Sequence, residues 1–150
     1  MRRNFRIVAT NYYDGPTAGF AAELNTGKVY YFRVLAWDEC QNQRIYIACV
    51  VSENDFLRLR ELLRSLQSQP DTRVWIPEWK FRNEYDTAEA DKIIAQYEKI
   101  LAEDCKFAIG QEWEELAKWR PIPSAIRQEV IESLERQNPD DLADWLPKLQ

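Results

Sequence analysis

The chain has 150 residues, 45% hydrophobic and 30% charged, a balance that suits one hydrophobic core under a polar surface. Its net charge of −5 argues against general nucleic-acid binding, and no apolar run approaches the ~20 residues of a membrane span. Histidine is absent, which excludes Ser-His-Asp and Cys-His catalysis and histidine-held metals.

The first fifty residues read as strands rich in Val, Ile, Tyr and Phe: 5–13, 18–24, 28–37 and 44–51. Turn residues separate them: Asp14-Gly15-Pro16, then Asn25-Thr26-Gly27, then the polar run 38–43. Connections this short join antiparallel neighbours, so a four-stranded antiparallel meander is expected. A leucine-rich helix follows. Ser52 is its N-cap, and Leu59, Leu62, Leu63 and Leu66 form its apolar stripe. In "TRVWIPEWKF" (72–81), Trp75 and Ile76 suit a short strand that Pro77 stops or confines to a sheet edge.

Residues 86–105 have helical periodicity, with Asp86 and Glu89 as a capping box. Ala90, Ile93, Ile94, Tyr97 and Leu101 lie on one face. Gly110 interrupts, and 111–119 reads as a short helix. Pro121 and Pro123 mark a break before another helix with Ile126, Val130, Ile131 and Leu134 inward. In the last helix Asn138 is the cap and Pro139 the first residue, and Pro147 cuts it short. Trp145 shares its stripe with Leu142, Leu146 and Leu149.

Strands followed by helices define an α+β fold rather than a parallel α/β sheet. One domain over 1–150 is expected, with a sheet-plus-helix part (1–85) and an acidic helical part (86–150). The latter either packs on the sheet or hinges near 120–124. Charge divides the same way: residues 1–83 hold 12 Lys and Arg against 9 Asp and Glu, and 84–150 hold 8 against 16.

Strand alternation then sorts the side chains into two faces. Phe5, Ile7, Phe20, Tyr30, Phe32, Val34, Ile45, Ile47 and Cys49 make an apolar set for the core. The other set carries Arg6, Tyr12, Tyr31, Arg33, Trp37, Arg44 and Tyr46. Tyr, Trp and Arg are the residue types enriched at binding hot spots, and their rings and guanidinium groups also stack on planar or anionic ligands. These seven residues are the candidate binding set. Acids in two turns that a meander brings to the same end of the sheet, Asp14 in one and Asp38 with Glu39 in the other, are the weaker catalytic candidates, for acid–base or cation-assisted hydrolysis.

Cys40, Cys49 and Cys105 form no CxxC, and no metal site is expected. Phosphate-loop, dinucleotide, zincin and serine-hydrolase motifs are missing as well, so no cofactor is expected. The start, "MRRNFRIVATNYYDG", lacks the apolar stretch of an export signal, which points to the cytoplasm.

The pattern Tyr12-Tyr13-Asp14-Gly15-Pro16, then Tyr30-Tyr31-Phe32, then Trp37-Asp38 resembles the start of an uncharacterised family of small bacterial proteins. The resemblance spans about the first third of the chain. It implies a bacterial cytoplasmic origin and carries no activity.

Together these features lead to the expectation of a non-enzymatic cytoplasmic binding or regulatory module. Its partner is a protein or a second copy of the chain, with neither nucleic acid nor membrane involved. A binder of small anionic aromatic molecules is the alternative. A toxin-immunity-type protein and a carboxylate- or metal-dependent hydrolase stand behind these.

Overall fold

The computed structural model describes residues 5–12, 16–38, 43–64, 74–75, 88–110, 119–136 and 140–149; at 5–12, 16, 63–64, 74–75 and 140–141 it describes the backbone alone. Four strands open the chain: β1 (Phe5–Tyr12), β2 (Pro16–Glu23), β3 (Val29–Asp38) and β4 (Gln43–Val51). Helix α1 (Glu53–Arg64) and a two-residue strand β5 (Val74–Trp75) follow. Next come α2 (Ala88–Glu103), β6 (Lys106–Gly110) and β7 (Arg120–Pro121). A 3-10 turn (Ser124–Ile126) leads into α3 (Arg127–Arg136), then β8 (Asp140–Asp141) and α4 (Leu142–Leu149).

The fold is α+β, and the expected meander is present as the order β1-β2-β3-β4. The sheet is larger than four strands, however. β6 pairs antiparallel with β4, making five long strands, and the two-residue strands β5, β7 and β8 pair at its margins. The sequence expectation missed β6 because "KFAIG" sits between a strong helical pattern and a glycine, and five residues are too few to establish a period. β5 lies at the outer edge beside β1, where a strand running into Pro77 is tolerated.

The largest correction concerns which residues share a face. The β2–β3 hairpin closes with the Glu23 amide donating to the Lys28 carbonyl (2.8 Å) and the Gly27 amide to the Glu23 carbonyl (2.8 Å). Gly27 takes φ +72°, a left-handed geometry that glycine adopts without a Cβ penalty. This closure pairs Phe20 with Tyr31 and Ala21 with Tyr30. An even residue on β2 thus faces an odd one on β3, the reverse of the expected parity. Facing residues in a sheet share a side, so Tyr31 joins Phe20, Cys49 and Ile47. Further along, β3 bulges between Val34 and Ala36, and Leu35 and Ala36 both enter the same apolar cluster.

Helices cover that first face. Its core holds Phe20, Tyr31, Ile45 and Ile47 of the sheet with Phe56 and Leu59 of α1. Tyr97 and Leu101 of α2, Val130 and Leu134 of α3, and Leu142, Trp145 and Leu149 of α4 complete it. Phe20 lies 4.9 Å from the Tyr31 ring and meets the Tyr97 ring edge-on at 6.0 Å. Each large apolar side chain so buried contributes roughly 1.5–3 kcal/mol. Residues of 86–150 therefore share one continuous core with the sheet. The other face carries a smaller cluster of Ala21, Phe32, Val34, Tyr46, Ala48 and Ala108, fringed by Tyr30, Trp37 and Trp119.

Most helix expectations match. Ser52 caps α1, its Oγ accepting from the Asp55 amide at 3.4 Å. Leu59 is fully buried and Leu62 half-buried, whereas Leu57 is exposed; Leu66 and the side chain of Leu63 lie outside the described residues. The Asp86 cap and all of the expected 111–119 helix but Trp119, which is not helical, lie outside them too, while Glu89 binds Arg58 of α1 through two oxygens, at 2.7 and 2.8 Å. The last helix begins at Leu142 rather than Pro139. β2 pairs with β3 only as far as Arg33, so the end of β3 has an open edge. Asp140 and Asp141 fill it as a parallel bridge to Ala36 and Trp37. α4 also runs two residues past Pro147.

Candidate functional site

The expected Tyr/Trp/Arg face does not exist as one surface. Tyr31 is fully buried on the helix-covered side, and Tyr46 is 2% exposed on the opposite side. Register parity is the cause: Tyr31 pairs with Cys49, and Tyr46 with Val34. Arg33 shares the Tyr31 side and is held there. Its Nη1 donates to Glu98 Oε2 at 2.8 Å, and the Tyr31 hydroxyl donates to Glu98 Oε1. One α2 carboxylate thus engages two of the seven residues that were expected to bind a ligand. Trp37 and Arg44 do face each other across β3 and β4, where Arg44 is 9% exposed.

For Arg6 and Tyr12 only the backbone pairing is described, with Ala22 and Pro16 respectively. Asp14 and Glu39 lie outside the described residues, and Asp38 pairs with Gln43 at the hairpin end. Among the described residues no group of three or more Cys, Asp or Glu side chains forms a metal-holding cluster.

A concave site lies elsewhere, around one end of the sheet. It is a groove of about 550 Å³, within the roughly 300–1,000 Å³ usual for small-molecule sites. The β2–β3 turn supplies Gly27 and Lys28 on one side, and Ile100 and Asp104 at the end of α2 form the other. Its floor is the end of β4, where Cys49 to Val51 run on past the last β6 pairing, Ala48 with Lys106. Tyr30 and Trp119 make an aromatic wall, their rings stacked at 6.2 Å and 28°. Lys28 and Lys106 bring two exposed ammonium groups, and Asp104 an exposed carboxylate.

Val50, in the floor, is 71% exposed, well above Leu24 and Leu57, the other large exposed apolar residues described. Cys49 is buried beside it, and its thiol makes a long contact of 3.9 Å to the Tyr97 carbonyl. Burial pushes this thiol up to about 12, and the neighbouring Cys105 and Asp104 add to the shift. Cys49 is thus almost wholly a neutral thiol at physiological pH, and so a slow nucleophile.

Sequence reasoning missed this site because its members lie in four separate segments. Tyr30 had been assigned to the core, and Lys106 fell in an unrecognised strand. A usable signal was present nonetheless: Lys28, Tyr30 and Val50 flank the ends of strands that a hairpin brings together. Comparison with protein families, with curated proteins and with solved structures finds no match to this chain.

Proposed function

We propose that the protein is a non-enzymatic binding module whose recognition site is the groove between the β2–β3 turn and the end of α2. The favoured occupant is a flat, anionic small molecule. The observation that carries this reading is the stacked Tyr30–Trp119 wall beside the Lys28 and Lys106 ammonium groups. Aromatic walls offer area to planar rings at low entropic cost, and paired amines supply the charge. Val50 gives the floor an apolar contact without a polar group to satisfy.

The test is fluorescence titration with 1-anilinonaphthalene-8-sulfonate, an anionic aromatic probe, alongside a thermal-shift screen of nucleotides. A compound at 100 times its Kd raises stability by about 2.7 kcal/mol. Trp119→Ala and the double change Lys28→Glu, Lys106→Glu are expected to weaken binding at least tenfold while thermal unfolding stays cooperative. Equal affinity in both variants and the parent overturns the assignment.

A second reading, a protein partner, draws on one observation: β4 outruns β6, leaving Val50 exposed at a strand end. An extended peptide added there would continue the sheet. Val50→Pro removes the backbone donor that such pairing uses, and leaves stacking on Trp119 intact.

A further inference from the structure

β4 and β6 pair antiparallel, Ile47 with Phe107 and Ala48 with Lys106. The pairing ends there; continuing its register by one step would set Cys49 opposite Cys105, the residue just before β6. Both side chains belong to the same helix-covered cluster, Cys49 within it and Cys105 packed against its margin. Facing residues in antiparallel strands have Cα atoms about 4.5–5.5 Å apart, inside the roughly 4.4–6.8 Å that a disulfide spans. Both thiols are free.

We propose that Cys49 and Cys105 are a cross-strand disulfide site, closed by a small-molecule disulfide such as oxidised glutathione. Cys105 is half-buried and Cys49 buried, so the order of events is set. The Cys105 thiolate attacks one sulfur of glutathione disulfide, forming a mixed disulfide and releasing one glutathione thiolate. The Cys49 thiolate then attacks the Cys105 sulfur and displaces the second glutathione. Two protein protons end on the two glutathione molecules, two protein sulfurs are oxidised, and one glutathione disulfide is reduced.

The surroundings make the reaction slow. Burial pushes the Cys105 thiol up to about 11, with the Asp104 carboxylate adding and the Arg127 guanidinium opposing. Cys49 faces Asp104 and Glu98 as well as Cys105. With both thiols titrating far above neutrality, the rate rises about tenfold per pH unit between pH 7 and 9. The pair is thus built for sustained oxidation rather than for rapid sensing. Its closure would bond the groove floor at Cys49 to the chain leaving α2.

The native protein is incubated with oxidised glutathione at pH 8, alkylated without reductant, digested and mapped by mass spectrometry. The expected result is one intramolecular cross-linked peptide joining Cys49 to Cys105. It persists in Cys40→Ser and disappears in Cys105→Ser and Cys105→Ala, two variants at a half-buried position. A map in which Cys49 stays alkylated, Cys40 provides the partner, or only glutathione adducts accumulate overturns the proposal.

Discussion

Tyr97→Phe removes one oxygen from the joint between α1 and α2. The Tyr97 hydroxyl donates to Asp55 Oδ2 at 2.5 Å and accepts from the Ser52 amide at 3.1 Å. Ser52 is the cap of α1, so a side chain of α2 completes the end of its neighbour. The phenyl ring stays, and its edge contact with Phe20 is unchanged. A hydrogen bond to a charged partner contributes about 1.5–3 kcal/mol, and one to an amide that water can reach about 0.5–1. Water re-solvates exposed Ser52 in the variant, so the expected loss is about 2 kcal/mol. That corresponds to a fall in Tm of about 4–8 °C for a chain of this size. Urea and thermal unfolding of Tyr97→Phe, Asp55→Ala and the double variant give the coupling directly, expected at about 1–2 kcal/mol. The pH dependence adds a second check. Burial, then the bond to Asp55, raise the Tyr97 hydroxyl above the ordinary tyrosine value of 10.0. Its stabilisation is therefore complete below pH 10 and declines as the pH climbs beyond that, because the unfolded chain loses the proton first. The parent's advantage over Tyr97→Phe must shrink in that alkaline range. A loss under about 0.5 kcal/mol, or strict additivity with Asp55→Ala, refutes the joint.

Arg58→Ala breaks the paired contact with Glu89, but both side chains are about half exposed. The expected drop in Tm is small and vanishes in 1 M salt; a large, salt-independent drop in thermal scans contradicts this. Glu98→Ala leaves Arg33, 13% exposed, without its carboxylate and costs about 2 kcal/mol by urea unfolding, with Glu98→Gln recovering about half. Closing the Cys49–Cys105 bridge is expected to raise stability by about 4 kcal/mol on chain-entropy grounds, read as a Tm that falls again on adding reductant.

Local chemistry made the elements legible and left the site obscure. Val, Tyr and Phe runs between Gly and Asn turns located four strands, and i, i+3, i+4 spacing located α1, α2, α3 and the Trp145 stripe. Pairing parity was a different matter. It depends on how Glu23 and Lys28 close a hairpin, and shifting that closure by one residue exchanges the faces of β3. Tyr31 and Arg33 read as surface for that reason alone. The bulge at Leu35 compounds the difficulty, because it places two successive apolar residues inward where alternation allows one. β6 needed tertiary context: its five residues gain a strand's hydrogen bonds only because β4 offers an open edge.

The acidic half now has a physical role. It was expected either to pack on the sheet or to hinge away from it. It packs: Glu98 of α2 binds Arg33 and Tyr31 of β3, and Glu129 holds Lys148 at 2.5 Å, tying α3 to α4. Asp140 and Asp141 complete the open edge of β3 through their backbones. A carboxylate under a helix and a guanidinium on a strand explain why the sheet tolerates an arginine among its core residues: the charge is matched where it is buried. The same pairing takes Arg33 out of the set that can meet a ligand. The proposed recognition site accordingly lies at the end of the sheet, where Lys28 and Lys106 line the groove beside the stacked Tyr30 and Trp119.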